Sequence, residues 1–235
     1  MKITLISDTH TKHKQCQLDL PGGDILIHAG DISSMGYKHE IREFCAWYNK
    51  LTTYDHKVFI AGNHDWGFQD NVEKTKEILD FYKDVHYLQD DLMCIGRNED
   101  AFDYDKMIKI WGSPWQPEFH NWAFNLPRQG EQLKHKWSLI PENTDILVTH
   151  GPAWGILDTT EWNRGLHLGC ELLTERISQV KPKIHVCGHI HSGHGYYFDG
   201  TTHFFNASIL GERYTYQHRP ITFDWDKETN EIKFT

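Results

Sequence analysis

Five times in this sequence a short apolar run stops abruptly at a cluster of Asp, His, Asn and Gly. Residues 2–7 lead into Asp8-Thr9-His10, and residues 24–28 lead into Gly30-Asp31. Residues 57–61 run into Gly62-Asn63-His64-Asp65, residues 145–149 into His150-Gly151, and residues 183–187 into Gly188-His189-Ile190-His191. Short runs rich in Ile, Val and Leu are buried strands. In open α/β sheets ligands gather at the carboxyl ends of the strands. Strands that all end in polar clusters therefore bring those clusters to one edge, and fold and site are constrained together.

Between these runs the pattern changes to helical spacing. Ile41, Phe44, Cys45, Tyr48 and Leu51 predict a helix over 38–51. A second helix is expected over 71–83, with Asp70 or Asn71 as its N-cap, and further helices over 129–139 and 169–180. Additional strands are expected at 85–88, 92–96 and 107–112. Residues 113–128 carry Pro114, Pro117 and Pro127 and read as a long ordered loop, 151–167 as irregular, and 195–235 as short antiparallel strands. No repeat and no Gly/Ser linker divides the chain, so residues 1–235 are expected to form a single domain. Its class is α/β, with two mixed β-sheets packed between helices.

The clusters offer oxygen and nitrogen donors and contain no Cys. That set suits Mn, Fe, Zn or Ni and argues against an all-thiolate structural zinc site. Glycines beside the ligands permit tight turns and close backbone approach. The 17 His residues are dispersed, so a purification tag does not account for them.

Composition narrows the classes further. At 235 residues the chain can bury a large core without disulfides. Its five cysteines (Cys16, Cys45, Cys94, Cys170, Cys187) have no C-x-x-C spacing, and the N-terminus turns polar too early for a signal peptide. Both features point to a reducing, cytoplasmic setting. No apolar run is long enough to span a membrane. A net charge of −9 repels phosphate backbones, which makes nucleic acid a poor default partner.

The ordered series D-x-H, G-D, G-N-H-D, H-G and G-H-x-H, spanning residues 8–191, resembles the calcineurin-like metallophosphoesterases. Leu26-Ile27-His28-Ala29-Gly30-Asp31, Gly112-Ser113-Pro114-Trp115-Gln116-Pro117 and Trp122-Ala123-Phe124-Asn125 resemble the metallophosphoesterase-domain-containing branch, which is similar to class III cyclic nucleotide phosphodiesterases. Some branch members lack one His of the last motif, and this sequence keeps both. The resemblance implies a four-layer sandwich and two divalent ions, with Mn favoured. One ion would be held by Asp8, His10, Asp31 and His191, the other by Asp31, Asn63, His150 and His189, with Asp31 bridging. It implies His64 as the catalytic residue that contacts phosphate and protonates the leaving oxygen, and Asp65 as its orienter. The expected reaction is attack of a metal-bound hydroxide on a small phosphodiester such as a cyclic nucleotide. A homodimer is a further possibility implied by the family. Purple acid phosphatases place a Tyr three residues after the bridging Asp. Here that position is Ser34, which speaks against an Fe(III)–tyrosinate site.

Other residues keep two readings. Trp115, Phe119, Trp122 and Phe124, with Trp154 and Trp162 in the next loop, form either an aromatic rim that stacks on a base or the small core such loops need. Trp115, Trp122 and His194 are the candidate substrate contacts. His28 and His185 either brace ligands or simply pack. Arg128 and Arg164 either meet a phosphate or are solvated. Three alternatives to a phosphodiesterase stand: a broad phosphomonoesterase, a nuclease of the same superfamily, and a non-catalytic binding scaffold.

Overall fold

A computed structural model of the chain describes residues 1–96, 103–163 and 165–235. Arg164 thus lies outside the described residues. Two six-stranded sheets form the centre. The first takes its strands from both ends of the chain: β1 (Lys2–Ile6), β2 (Gly23–His28), β3 (Tyr54–Phe59), β4 (His86–Tyr87), β13 (Ile221–Trp225) and β14 (Ile232–Phe234), in the order β14-β13-β1-β2-β3-β4. The second contains β5 (Asp91–Ile95), β6 (Ile108–Ser113), β9 (Ile146–Thr149), β10 (Ile184–Cys187), β11 (Gly195–Phe198) and β12 (His203–Asn206), in the order β11-β12-β10-β9-β6-β5. Both sheets are mixed. The pairs β1–β2, β2–β3, β6–β9, β9–β10 and β10–β12 are parallel, while β1–β13 and β5–β6 are antiparallel.

The period of two along each strand makes the layers. Ile3, Leu5, Ile25, Ile27, Val58 and Ile60 face Ile108, Ile110, Ile146, Val148, Ile184 and Val186 across the space between the sheets. The intervening residues face outward. Leu26 and Phe59 meet Phe44, Cys45 and Tyr48 of α1 (Lys38–Asn49), which packs beside α3 (Val72–Phe81). On the opposite side Leu147 and Phe204 meet Leu133 and Trp137 of α4 (Glu131–Ser138) and Leu173 and Ile177 of α5 (Glu171–Val180). The result is the expected sandwich of helices, sheet, sheet and helices. Near 25 cal/mol per Å² of buried apolar surface, these three cores supply most of the drive to fold.

Three local expectations are revised. Asn71 stands at the N-cap of α3, but its side chain makes no capping bond, and its N–H closes the short α2 (Gly67–Asp70) on the Gly67 carbonyl. The Pro-rich loop contains a small parallel pair, β7 (Gln116–Pro117) with β8 (Asn125–Leu126), which satisfies backbone groups that a buried loop would orphan. Within the tail β11 pairs with β12 and β13 with β14 antiparallel, as expected, but the tail also makes a parallel pair outside itself. β12 lies parallel to β10, and residues 207–209 cross to the other sheet, with Ala207 N–H bonded to the Cys187 carbonyl and Ile209 N–H to the Ser7 carbonyl.

Candidate metal centre and cleft

The carboxyl ends of β1, β2, β3, β9 and β10 open onto one edge, where the chain turns sharply. Asp8, His10, Thr11, Asp31 and His189 all have left-handed backbone angles, with φ between 40° and 67°. Non-glycine residues rarely adopt this region, and such strain collects at functional sites. The turns brace one another: Asp8 N–H bonds the Gly30 carbonyl, His10 N–H the Asp31 carbonyl, and Gly188 N–H the His150 carbonyl. Glycine is obligatory at two of these approaches. Gly30 has φ +98°, and a Cβ there would stand 2.5 Å from His150 Nδ1. A Cβ on Gly188 would stand 2.1 Å from Asp8 Oδ2.

The side chains converge on a small volume. Donor atoms of Asp8, His10 and His191 lie within 4.8 Å of one another, as do those of His10, Asp31 and His64, and those of Asp8, Asp31 and His150. His10 Nε2 is 3.6 Å from Asp31 Oδ2 and 3.4 Å from His191 Nε2. His191 Nε2 is 3.4 Å from Asp8 Oδ1, and His150 Nε2 is 3.4 Å from Asp31 Oδ2 and 3.0 Å from Asn63 Oδ1. His189 joins through its ring against His150, centroids 5.1 Å apart, and through its N–H, which bonds Asp8 at 3.0 Å. All seven of the sequence-predicted ligands thus meet at one place.

The proton placement tests whether cations fit. Carbonyl oxygens only accept, so each imidazole Nδ1 bonded to one must carry a hydrogen. His150 Nδ1–H donates to the Ala29 carbonyl at 2.9 Å, His191 Nδ1–H to Gly211 at 3.1 Å, and His64 Nδ1–H to Ser34 at 2.8 Å. In the neutral rings the Nε2 lone pairs of His150 and His191 then face carboxylates and other acceptors. Acceptors facing acceptors repel unless positive charge lies between them, so the donor set fits divalent cations.

The electrostatics make the same demand. Burial alone would raise Asp8 and Asp31, yet the imidazoles of His191 and His150 hold both well below the usual carboxylate range. Burial would lower His150, but Asp31 and Asp8 carry it up to about 9. Asp8 likewise lifts His191 against its burial. His10 and His189 are pushed down by burial, to about 4 and about 3. The carboxylates thus draw positive charge toward these imidazoles, a demand that bound cations would meet.

Neighbouring residues fix these groups. Ser208 Oγ–H donates to Asp8 Oδ2 at 2.6 Å. Asp65 is fully buried and accepts from Gly62 N–H, Ile32 N–H, and the N–H and Oγ–H of Ser33. It ties the loop after β3 to the loop after β2, and burial together with Asp31 pushes its carboxyl up to about 7. His28 accepts from Gly30 N–H through Nδ1 and bonds Thr9 Oγ1 through Nε2. His185 Nε2 bonds Thr149 Oγ1, whose proton goes to the Gly151 carbonyl, so His185 is the donor. Burial pushes both His28 and His185 down to about 3, and both brace ligand-bearing turns as neutral rings.

Above the ligands lies a cleft of about 320 Å³. Phe119, Trp162 and Tyr214 line it, together with Glu118, Glu212 and Arg128. Trp122 stacks beneath His64 with ring centroids 4.1 Å apart. None of the three candidate substrate contacts, Trp122 included, is among the lining residues. Trp115 packs edge-on against Phe124 and donates Nε1–H to Asp90, and His194 stacks on His218 and bonds the Ser208 carbonyl. The loop aromatics therefore divide between rim and small core. Arg128 is held by Glu171 and the carbonyls of Gly169 and Leu168. Sequence reasoning did not find Tyr214, whose ring sits 4.8 Å from that of His10 and 5.1 Å from that of His191, or Ser208. Both lie in the tail, where the strand pattern carries no polar cluster of the kind that marks the ligands.

Lone pairs and carboxylates gathered at the edge of a two-sheet sandwich define a metal-binding centre. The calcineurin-like phosphoesterase profile matches residues 1–193, and the chain belongs to that family of metal-dependent phosphoester hydrolases. The chain is 38% identical over 234 residues to Metallophosphoesterase domain-containing protein 1 of Homo sapiens, covering 95% of this chain and 70% of that protein. In fold it is similar to a phosphopantetheinyl hydrolase of Mycobacterium tuberculosis, with TM-score 0.56, 15% identity, and coverage of 91% of this chain and 90% of the other. A dimetal phosphatase from Danio rerio superposes with TM-score 0.51 at 10% identity, over 95% of this chain and 92% of the other. Among the described residues no helix is long and apolar enough to cross a membrane.

Proposed function

We propose that this protein is a dinuclear metal-dependent phosphodiesterase that hydrolyses small phosphodiesters, cyclic nucleotides among them, in the cytoplasm. The observation that carries the reading is the convergence of ligand atoms at the floor of the cleft with His64 in the same cluster. In this reading Asp8, His10, Asp31 and His191 hold one ion. Asp31, Asn63, His150 and His189 hold the second. The bound ions, with manganese favoured by the family resemblance alone, would supply Lewis acidity and a water acidic enough to react at neutral pH.

The chain's own residues do the rest. His64 keeps Nδ1–H on the Ser34 carbonyl and its ring flat on Trp122, so Nε2 is held toward the ligand cluster. Protonated there, Nε2 gives its proton to the departing oxygen, and general acid catalysis of this kind contributes roughly 100- to 10,000-fold. Asp65 positions His64 indirectly by holding the turn that carries it. Phe119, Trp162 and Tyr214 offer apolar faces to a base or ring next to the phosphate. A cleft of about 320 Å³ suits a small molecule better than a polymer, and the charge of −9 opposes nucleic acid.

The test is hydrolysis of bis-p-nitrophenyl phosphate and p-nitrophenyl phosphate by protein stripped of metal and then refilled with Mn. Faster, metal-dependent turnover of the diester supports the reading. Metal fully bound with neither ester cleaved favours a binding scaffold instead.

A further inference from the structure

The charge on the cleft wall has a chemical consequence. Glu118 follows β7 and Glu212 follows Gly211, and both line the cleft above the ligand cluster. Glu212 Oε1 accepts the Glu161 N–H at 2.9 Å, and its buried Oε2 has no partner among the described residues. Neither glutamate takes part in an ion pair among the described residues. Arg128 is the one Lys or Arg among the described lining residues, and its guanidinium is already shared between Glu171 and two carbonyls. Among the described residues a ligand entering the cleft therefore meets two carboxylates without an ion-pair partner on the wall and, with metal bound, positive charge on the floor.

We infer that Glu118 and Glu212 make the cleft select singly charged phosphodiesters over doubly charged phosphomonoesters. The inference rests on the phosphodiesterase reading above and deepens it. A diester carries one negative charge and a monoester about 1.5 to 2 at pH 7. Ions on the floor attract both ligands, the monoester more strongly. Carboxylates on the wall repel both, and the second charge of the monoester pays that repulsion again. The ligand motifs cannot separate the two substrate classes, because both classes use the same floor. The wall separates them by charge count.

The experiment uses Mn-loaded wild type, Glu118→Gln, Glu212→Gln and the double variant, with Glu228→Gln, which is exposed and outside the cleft, as the charge control. Calorimetry measures binding of dimethyl phosphate and methyl phosphate, and kcat/KM is measured for the two nitrophenyl esters. Each cleft substitution is expected to lower the diester-to-monoester preference about 3- to 10-fold at low salt, chiefly through tighter monoester binding. The shift should shrink at 0.5 M salt. Glu228→Gln should leave the preference unchanged. An unchanged binding preference in the double variant overturns the inference, as does an equal shift in Glu228→Gln. Absence of diester turnover in wild type, with the binding preference still responding to Glu118 and Glu212, overturns the phosphodiesterase reading and leaves the charge selection standing.

Discussion

The floor of the cleft comes from the ends of β1, β2, β3, β9 and β10, whereas its wall comes from Glu118 and Phe119 after β7, from Trp162, and from Glu212 and Tyr214. On the floor the ligands follow strand ends, and several are fixed further by hydrogen bonds. His150 is anchored to Ala29, His191 to Gly211, and Asp8 by Ser208 and His189 N–H. The wall has fewer anchors. Trp162 is 80% exposed and Phe119 47% exposed, and Glu212 is held by one bond to Glu161. Chemistry that every member of such a family must perform is built into rigid edges. Selectivity can then vary in loops at little cost to the fold.

This contrast predicts a steep gradient of mutational effect. Asp31→Asn, at the carboxylate closest to both His10 and His150, should show the largest. Diester turnover is expected to fall on the order of 1000-fold, and metal analysis should show reduced occupancy. Full metal content with wild-type turnover would remove Asp31 from its shared position. His64→Ala comes next, with kcat down about 100-fold or more and metal content retained. Loss of metal in that variant would make His64 a ligand rather than an acid, a role its distance from His10 and Asp31 also permits.

Gly188→Ala probes the packing of the floor without removing a ligand. The new Cβ would meet Asp8 Oδ2 and Ser7 Oγ at 2.1 Å, so the carboxylate must shift. Displacing a ligand in this way costs roughly 10- to 100-fold in metal affinity. Titration of stripped protein with Mn reads the loss directly, and unchanged affinity would mean that the turn adapts.

How legible these features were in the sequence follows the same divide. The sheets could be read because short unbroken apolar runs such as Ile25, Leu26 and Ile27 mark strands buried on both faces. The ligand edge could be read because Asp, His and Asn after an apolar run have few structural reasons to be there. The pairing of β12 with β10 could not. Parallel and antiparallel partners present the same alternation, and only the closure of the whole sandwich decides between them. Ser208 was hidden for the same reason, since its role depends on the chain crossing beside Asp8. In the loops Trp115 and Trp162 look alike as sequence. One finds Asp90 and Phe124 and turns inward, and the other finds no such partners and lines the cleft.

His185 gives the floor a pH dependence of its own, because it is buried as a neutral ring beneath Thr149 and the turn to Gly151. Its folded value, about 3, lies below the ordinary imidazole value near 6.5. As pH falls through 6.5 the unfolded chain takes up this proton and the folded chain does not, so stability is lost between 6.5 and 3 and is fully present above 6.5. At pH 5 the linkage amounts to about 2 kcal/mol. Urea unfolding of wild type and His185→Gln at pH 7 and pH 5 isolates it, since the amide keeps a donor for Thr149 Oγ1 and does not titrate. Wild type should lose about 2 kcal/mol more than the variant over that interval, and parallel losses would place the proton elsewhere.

The smallest effect belongs to the wall. Phe119→Ala and Trp162→Ala each remove an aromatic face from the cleft and leave every ligand in place. If the rim stacks on the ring of the substrate, KM for a cyclic nucleotide should rise about 3- to 10-fold while kcat stays within about two-fold. The same substitutions should leave KM for dimethyl-type diesters, which have no ring to stack, unchanged. Trp115→Phe supplies the contrasting case. It removes the bond to Asp90 within the loop core, so it should lower thermal stability and leave KM alone. A fall in kcat on loss of Phe119 would mean that wall and floor are coupled, through the edge contact of Phe119 with His189 at 5.7 Å, and that the division between them is less complete than their anchoring implies.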